Sequence, residues 1–115
     1  MISAKNKEPA RGEIYWVNLD PAIGSEIRKT RPAMVISNNI QNKVSGRVVV
    51  IPITSNDNNI YPFETKIILE KKSSKVLTDQ IRTIDKSRLG DRICKLTKSE
   101  INEIEKAIKV TLSLE

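Results

Sequence analysis

The chain has 115 residues, 38% hydrophobic and 30% charged, enough for one globular domain with one core and too short for two. A formal net charge of +6 favours a polyanionic partner, nucleic acid first, although a solvated lysine-rich surface explains the same number. There is no histidine and one cysteine, Cys94, which excludes a histidine-paired nucleophile, an imidazole-bound zinc, a thiolate-rich metal site and an internal disulfide.

Residues 1–10 read as a loose polar extension without the apolar stretch of a secretory leader, and a single domain follows over 11–115. No later run approaches the roughly 20 apolar residues that cross a bilayer, so the expectation is a cytoplasmic protein with no membrane contact. Glu13–Leu19 is rich in β-branched and aromatic residues and predicts a strand, in which Tyr15 and Trp16 serve packing. Asp20–Arg31 is a polar loop with Pro21 and Gly24, long enough to suggest a functional loop. Pro32–Ser37 predicts a second strand, with its proline at the start where a missing donor is tolerated. One or two helical turns fit Asn38–Val44, and Arg47–Ile53 is a continuous apolar strand that must be buried.

After a polar loop at Thr54–Pro62, Thr65–Leu69 and Lys75–Ile84 predict strands around a basic turn, and Arg88–Leu96 contains a short alternating piece. Thr97-Lys98-Ser99-Glu100 is a capping box, and Ile101, Ile104, Ile108 and Leu112 follow at helical spacing, predicting an amphipathic helix over 98–114. The expected architecture is mainly β: five to seven largely antiparallel strands in a small barrel or strongly curled sheet, closed by a C-terminal helix.

Three stretches carry candidate chemistry. In Ile23–Pro32, Gly24 permits unusual backbone angles, and Ser25, Thr30, Arg28, Lys29 and Arg31 can reach a phosphate. Pro32 biases Arg31 toward extended geometry, so its guanidinium fork is anchored at a strand mouth, where it can grip a phosphate bidentately. In Pro52–Asn56, the hydroxyls of Thr54 and Ser55 sit where a strand gives way to a loop, a common place for a binding residue; taken alone, capping of the local backbone explains them better. In Thr78–Thr83, strand alternation puts Asp79, Ile81 and Thr83 on one face and Gln80 and Arg82 on the other, where the latter two can read base edges. Asp79, Asp85 and Asp91 are dispersed through turns, unlike a two-metal nuclease site, and Cys94 reads as a core thiol.

In this order, these stretches resemble the MazF/PemK family of toxin ribonucleases from toxin–antitoxin pairs. The matching pieces are Arg11-Gly12-Glu13-Ile14-Tyr15, Leu19-Asp20-Pro21, Gly24-Ser25-Glu26, Arg31-Pro32-Ala33, Pro52-Ile53-Thr54-Ser55, Tyr61-Pro62-Phe63-Glu64 and Asp79-Gln80-Ile81-Arg82-Thr83-Ile84-Asp85. The resemblance implies a homodimer of SH3-like barrels and metal- and cofactor-independent cleavage of single-stranded mRNA at a short sequence, inhibiting translation. It implies Arg31 and Thr54 as the catalytic pair, with Gly24, Ser25, Glu26, Arg28, Ser55, Gln80 and Arg82 holding RNA and Asp79 in support. A cognate antitoxin with an acidic, flexible segment is the implied protein partner.

Attack of the 2′-hydroxyl on the adjacent phosphorus is the implied route, giving a 2′,3′-cyclic phosphate and a 5′-hydroxyl. One branch of the family pairs a histidine with an arginine two residues before the aspartate; here that position is Leu77 and histidine is absent, so Asp79 does not inherit that mechanism. Two other functions share the fold or the charge. A gyrase-poisoning toxin of the same fold relies on a Trp-Gly-Ile terminus, whereas this chain ends Leu112-Ser113-Leu114-Glu115. A non-catalytic barrel that binds RNA or protein fits the basic surface alone.

Overall fold

Seven strands and two helices make up the computed structural model, which describes residues 8–115. The reading of residues 1–10 as an extension lies outside the described residues up to position 7; beyond it, Pro9 is buried and the Ala10 N–H donates to Glu13 Oε1 at 2.6 Å. The strands are β1 (Glu13–Asn18), β2 (Thr30–Val35), β3 (Arg47–Thr54), β4 (Thr65–Leu69), β5 (Lys72–Val76), β6 (Arg82–Asp85) and β7 (Leu89–Lys95). Helix α1 (Asn39–Val44) follows β2, capped by the Asn38 side chain, and α2 (Lys98–Leu112) follows β7.

The sheet order is β4-β5-β3-β2-β1-β7, with β6 also paired to β3, and every pairing is antiparallel. The curled mainly-β sheet with a closing helix is therefore as the residue pattern predicts. Alternation along β1 sends Ile14 to one face and Tyr15 and Val17 to the other, and both faces are buried. On the first face Ile14, Met34, Ile51 and Ile53 pack with Ile67 and Val76 of the β4–β5 hairpin and with Ile104 of α2. On the second, Tyr15, Val17, Ala33, Val35, Val48 and Val50 pack with Ile84 and Leu89. The apolar run Arg47–Ile53 is continuous because its strand serves both cores.

One expected strand is broken. Lys75–Ile84 divides into the end of β5, a 3-10 turn at Thr78–Gln80, and β6. The Leu77 N–H still donates to Pro52 O at 2.9 Å, but Pro52 has no N–H to return, so the ladder opens there. β3 therefore pairs β6 through Arg47–Val50 and β5 through Ile53–Thr54, and Asp79 and Gln80 sit on the turn, outside any strand alternation.

The capping box of α2 is formed: Glu100 N–H donates to Thr97 Oγ1 at 3.2 Å and Thr97 N–H to Glu100 Oε1 at 2.9 Å. The helix stops at Leu112, two residues short of the expected end, because Ser113 turns left-handed at φ +56°. Gly12, at φ +94°, lets α2 settle on the sheet, since a Cβ there would lie 2.7 Å from Ile101 Cδ1. Arg11 ties the helix down by donating to Ile36 O and pairing with Glu105 at 2.7 Å.

Glu13 joins β1 to β7. Its carboxylate accepts from Ala10 N–H, from the buried Tyr15 hydroxyl at 2.8 Å and from Arg92 Nε at 2.7 Å. Burial alone would raise its pKa, but these hydrogen bonds and the Arg92 charge outweigh that and hold it below the usual carboxylate range. Tyr15 is pushed the other way, above its ordinary range, first by burial and then by Glu13.

A depressed folded-state pKa adds stability above the unfolded value of about 4.3 that is lost as pH falls through the folded value. In urea titrations at a series of pH values, wild type should therefore lose stability below about pH 5, and Glu13→Gln should show a flatter acid limb. Thr78 Oγ1 is buried without a hydrogen-bond partner among the described residues. Because an orphaned hydroxyl costs about 1–3 kcal/mol, Thr78→Val should match or exceed wild-type stability in the same measurement.

Candidate active site

The long loop between β1 and β2 is fixed at its neck and along its length. Leu19 N–H donates to Lys29 O and Lys29 N–H to Asp20 Oδ1, both at 3.0 Å. Three side chains from elsewhere then hold its backbone. Gln80 Oε1 accepts from Ile27 N–H at 2.8 Å, Arg82 donates to Leu19 O at 3.3 Å, and Arg88 donates to Asn18 O at 3.1 Å and to Asp20 O. The interactions of Gln80 and Arg82 are thus with the loop backbone. Arg88 was not singled out from the sequence; its role depends on where the 3-10 turn after β6 falls.

Arg31 and Thr54 lie at the same end of two neighbouring antiparallel strands. The β2–β3 ladder ends at the Ala33–Pro52 pair, and Arg31 and Thr54 each lie two residues beyond it on their own strands. Arg31 Nε donates to Arg28 O at 3.0 Å; among the described residues its terminal nitrogens have neither a carboxylate nor a carbonyl partner. Thr54 Oγ1 accepts from Asn56 N–H at 3.2 Å, the local capping its position allows, and its own proton has no acceptor among the described residues.

Two clefts are lined by residues of the candidate stretches. One, of about 330 Å³, is lined by Arg31, Thr30, Pro32, Ser55, Trp16 and the β4–β5 hairpin residues Leu69, Glu70, Lys72 and Ser74, over Ile53. The second, of about 390 Å³, lies between Ser25-Glu26-Ile27 and Asp79-Gln80-Ile81-Arg82. The structure therefore groups Arg31 with Ser55, and Ser25 and Glu26 with Asp79, Gln80 and Arg82. Thr54 lines neither cleft. Gly24 lies exposed at the loop with φ +61°, and Arg28, also exposed, donates to Gly24 O at 3.3 Å. Glu26 Oε1 accepts from Ile23 N–H at 2.7 Å, so part of its carboxylate serves its own turn.

Trp16 departs from its expected packing role. It is 42% exposed on the rim of the Arg31 cleft, while Tyr15 beside it is 1% exposed. Lys72 and Glu70 also went unrecognised, because only the β4–β5 hairpin brings them there. Cys94 is partly buried against the core and its thiol is pushed up by burial, as a core thiol should be. Among the described residues no three cysteine or carboxylate side chains gather as a metal site requires, and no helix is long and apolar enough to cross a membrane.

Comparison with known proteins agrees with the seven matching stretches. The family described as PemK-like, MazF-like toxin of type II toxin-antitoxin system matches residues 10–112. The chain is 36% identical to Endoribonuclease MazF of Staphylococcus epidermidis over 110 residues, covering 90% of this chain and 91% of that protein. Among solved structures, MazF from Deinococcus radiodurans superposes with a TM-score of 0.83 at 29% identity, covering 94% of this chain and 99% of that one. An endoribonuclease in complex with its cognate antitoxin, from a mycobacterial species, superposes with a TM-score of 0.78 at 27% identity, covering 93% and 97%.

If Gln80 holds the loop, Gln80→Ala should speed hydrogen exchange at the Ile27 amide by about five- to tenfold, the worth of one hydrogen bond. Exchange at Ala33, in the sheet core, should not change.

Proposed function

The chain belongs to the PemK-like, MazF-like toxin family and is a toxin-antitoxin endoribonuclease; from that premise we propose that it cleaves single-stranded RNA at the Arg31–Thr54 end of β2 and β3. The observation that supports this reading is an arginine without a carboxylate partner among the described residues, lining a cleft with a second cation, Lys72, at the same strand end as Thr54.

The chemistry that fits these groups uses the RNA's own nucleophile. The 2′-hydroxyl gives up its proton and attacks the adjacent phosphorus; the bond to the 5′ oxygen breaks and that oxygen takes up a proton. The products are a 2′,3′-cyclic phosphate and a 5′-hydroxyl. Negative charge builds on the non-bridging oxygens in between. Arg31 offsets it, and Thr54 donates a hydrogen bond, a preorganised donor being worth about 3–4 kcal/mol of barrier. A guanidinium is a poor base, so Arg31 acts here by charge and by position.

Ser55 extends the Arg31 cleft, and Gly24, Ser25, Glu26, Arg28, Gln80, Arg82 and Asp79 form the adjoining path for flanking nucleotides. Specificity then rests on the loop geometry, with bases splayed from a single strand. An acidic antitoxin segment that folds on binding is the complementary partner for the cationic path, in keeping with the antitoxin-bound relative. We further propose a homodimer working in the cytoplasm.

Purified protein should cut single-stranded RNA in excess EDTA, leaving 5′-hydroxyl ends that map to one short sequence. Arg31→Ala and Thr54→Ala should each slow cleavage by about 100-fold or more while leaving the circular dichroism spectrum intact. Undiminished cleavage by both variants overturns the site assignment.

A further inference from the structure

We propose that Trp16 is the nucleobase platform of the Arg31 cleft, on which an unpaired base beside the cleaved phosphate stacks. The inference rests on the ribonuclease reading above and specifies how the substrate is held there.

An indole exposed to 42% within a strand buried on both faces needs a reason. Helix α2 covers the face that Trp16 shares with Ile14, but Ile14 packs in the core with Ile104 while Trp16 lies farther along the strand. The β4–β5 hairpin is the next element on that face, and it stands off and leaves the cleft. The backbone beneath Trp16 is also specialised. Tyr15 pairs Arg92 and Val17 pairs Leu89, so β7 carries one extra residue opposite Trp16, a bulge of the kind that re-aims a side chain. Gly90 lies in that bulge, where a Cβ would come within 3.2 Å of Trp16 O and 3.5 Å of Trp16 Cβ.

The rest of the cleft fits a nucleotide better than an apolar ligand. Pro32, Trp16's cross-strand partner, joins Ile53 and Leu69 in an apolar floor. Arg31 and Lys72 supply two cations against the single carboxylate of Glu70, and Thr30, Ser55 and Ser74 supply hydroxyls. Its volume, about 330 Å³, is within the span of small-ligand sites. A flat base on the indole, with its phosphate toward Arg31, satisfies the aromatic, the cations and the hydroxyls together. Stacking of this kind accepts any base, so Trp16 supplies affinity and placement, and sequence choice falls to the loops.

Trp16 is the only tryptophan in the chain, so its own fluorescence reports the contact. The probe is a 2′-O-methyl RNA oligonucleotide spanning the mapped cut site, which lacks the attacking hydroxyl. Titrating it into wild type should quench the emission. Trp16→Ala should weaken binding by about tenfold to a hundredfold, and Trp16→Phe, which keeps an aromatic face, should recover most of the loss. An abasic residue at one position flanking the cut should cost wild type a similar factor and cost Trp16→Ala nothing more. The proposal is overturned by emission unchanged at saturation, or by abasic penalties equally large in wild type and Trp16→Ala at every position. It is also overturned if the substitution weakens only an acidic antitoxin peptide and leaves RNA binding intact. Absence of cleavage by wild type in EDTA instead overturns the ribonuclease reading, whereas Arg31-dependent cleavage indifferent to Trp16 removes this inference alone.

Discussion

Pro52 lies near the end of β3, a strand buried on both faces, and has no amide to give to the neighbour on its outer edge. Much of the architecture follows from that one missing donor. The partner along this edge changes from β6 to β5 beside it, and the 3-10 turn between them carries Asp79 and Gln80 out of the sheet. The displaced turn can then meet the β1–β2 loop, which Gln80 holds through Ile27. The β4–β5 hairpin, joined to β3 by only two residue pairs, extends over the other face and forms the far wall of the Arg31 cleft.

The positive charge of the chain divides into two kinds of work. Arg82 and Arg88 donate to backbone carbonyls at the neck of the β1–β2 loop, and Arg11 and Arg92 pair with Glu105 and Glu13 to join elements. These cations hold the scaffold. Arg31 and Lys72 have no carboxylate partner among the described residues and line one cleft. Net charge alone does not separate the two groups, because both add the same amount to the total. A cation already satisfied by a carbonyl or carboxylate also has less left for a phosphate than one held ready and unpaired.

The loop that resembles a phosphate cradle is more ordered than its composition suggests. Its backbone donors and acceptors near both ends find partners, and its Gly24 and Lys29 adopt positive φ. Such a frame keeps Ser25 and Glu26 facing Asp79 and Arg82 across the second cleft. A site assembled from strand ends and a tied loop can place donors before substrate arrives, which a reaction carried by charge and position requires.

The sequence alone determined the strands with strong apolar character, the capped C-terminal helix and the absence of histidine chemistry. These depend on local patterning, on a capping box four residues long and on residue types simply missing. It also carried the motif order that led to Arg31 and Thr54. Tertiary structure decided the rest. The break after Val76 comes from a proline on a different strand, so the alternation of residues 78–83 misplaced Asp79 and Gln80. Trp16 and Tyr15 are neighbours of similar character, and only the reach of α2 and the bulge at Gly90 leave one in solvent and the other in the core. Arg31 and Thr54 come to the same end of neighbouring strands, and Lys72 to the Arg31 cleft, through strand pairing and hairpin placement across many residues of chain. Local propensity acts over a few neighbours along the chain, whereas these contacts are set by which surfaces the completed sheet must bury and which it leaves open.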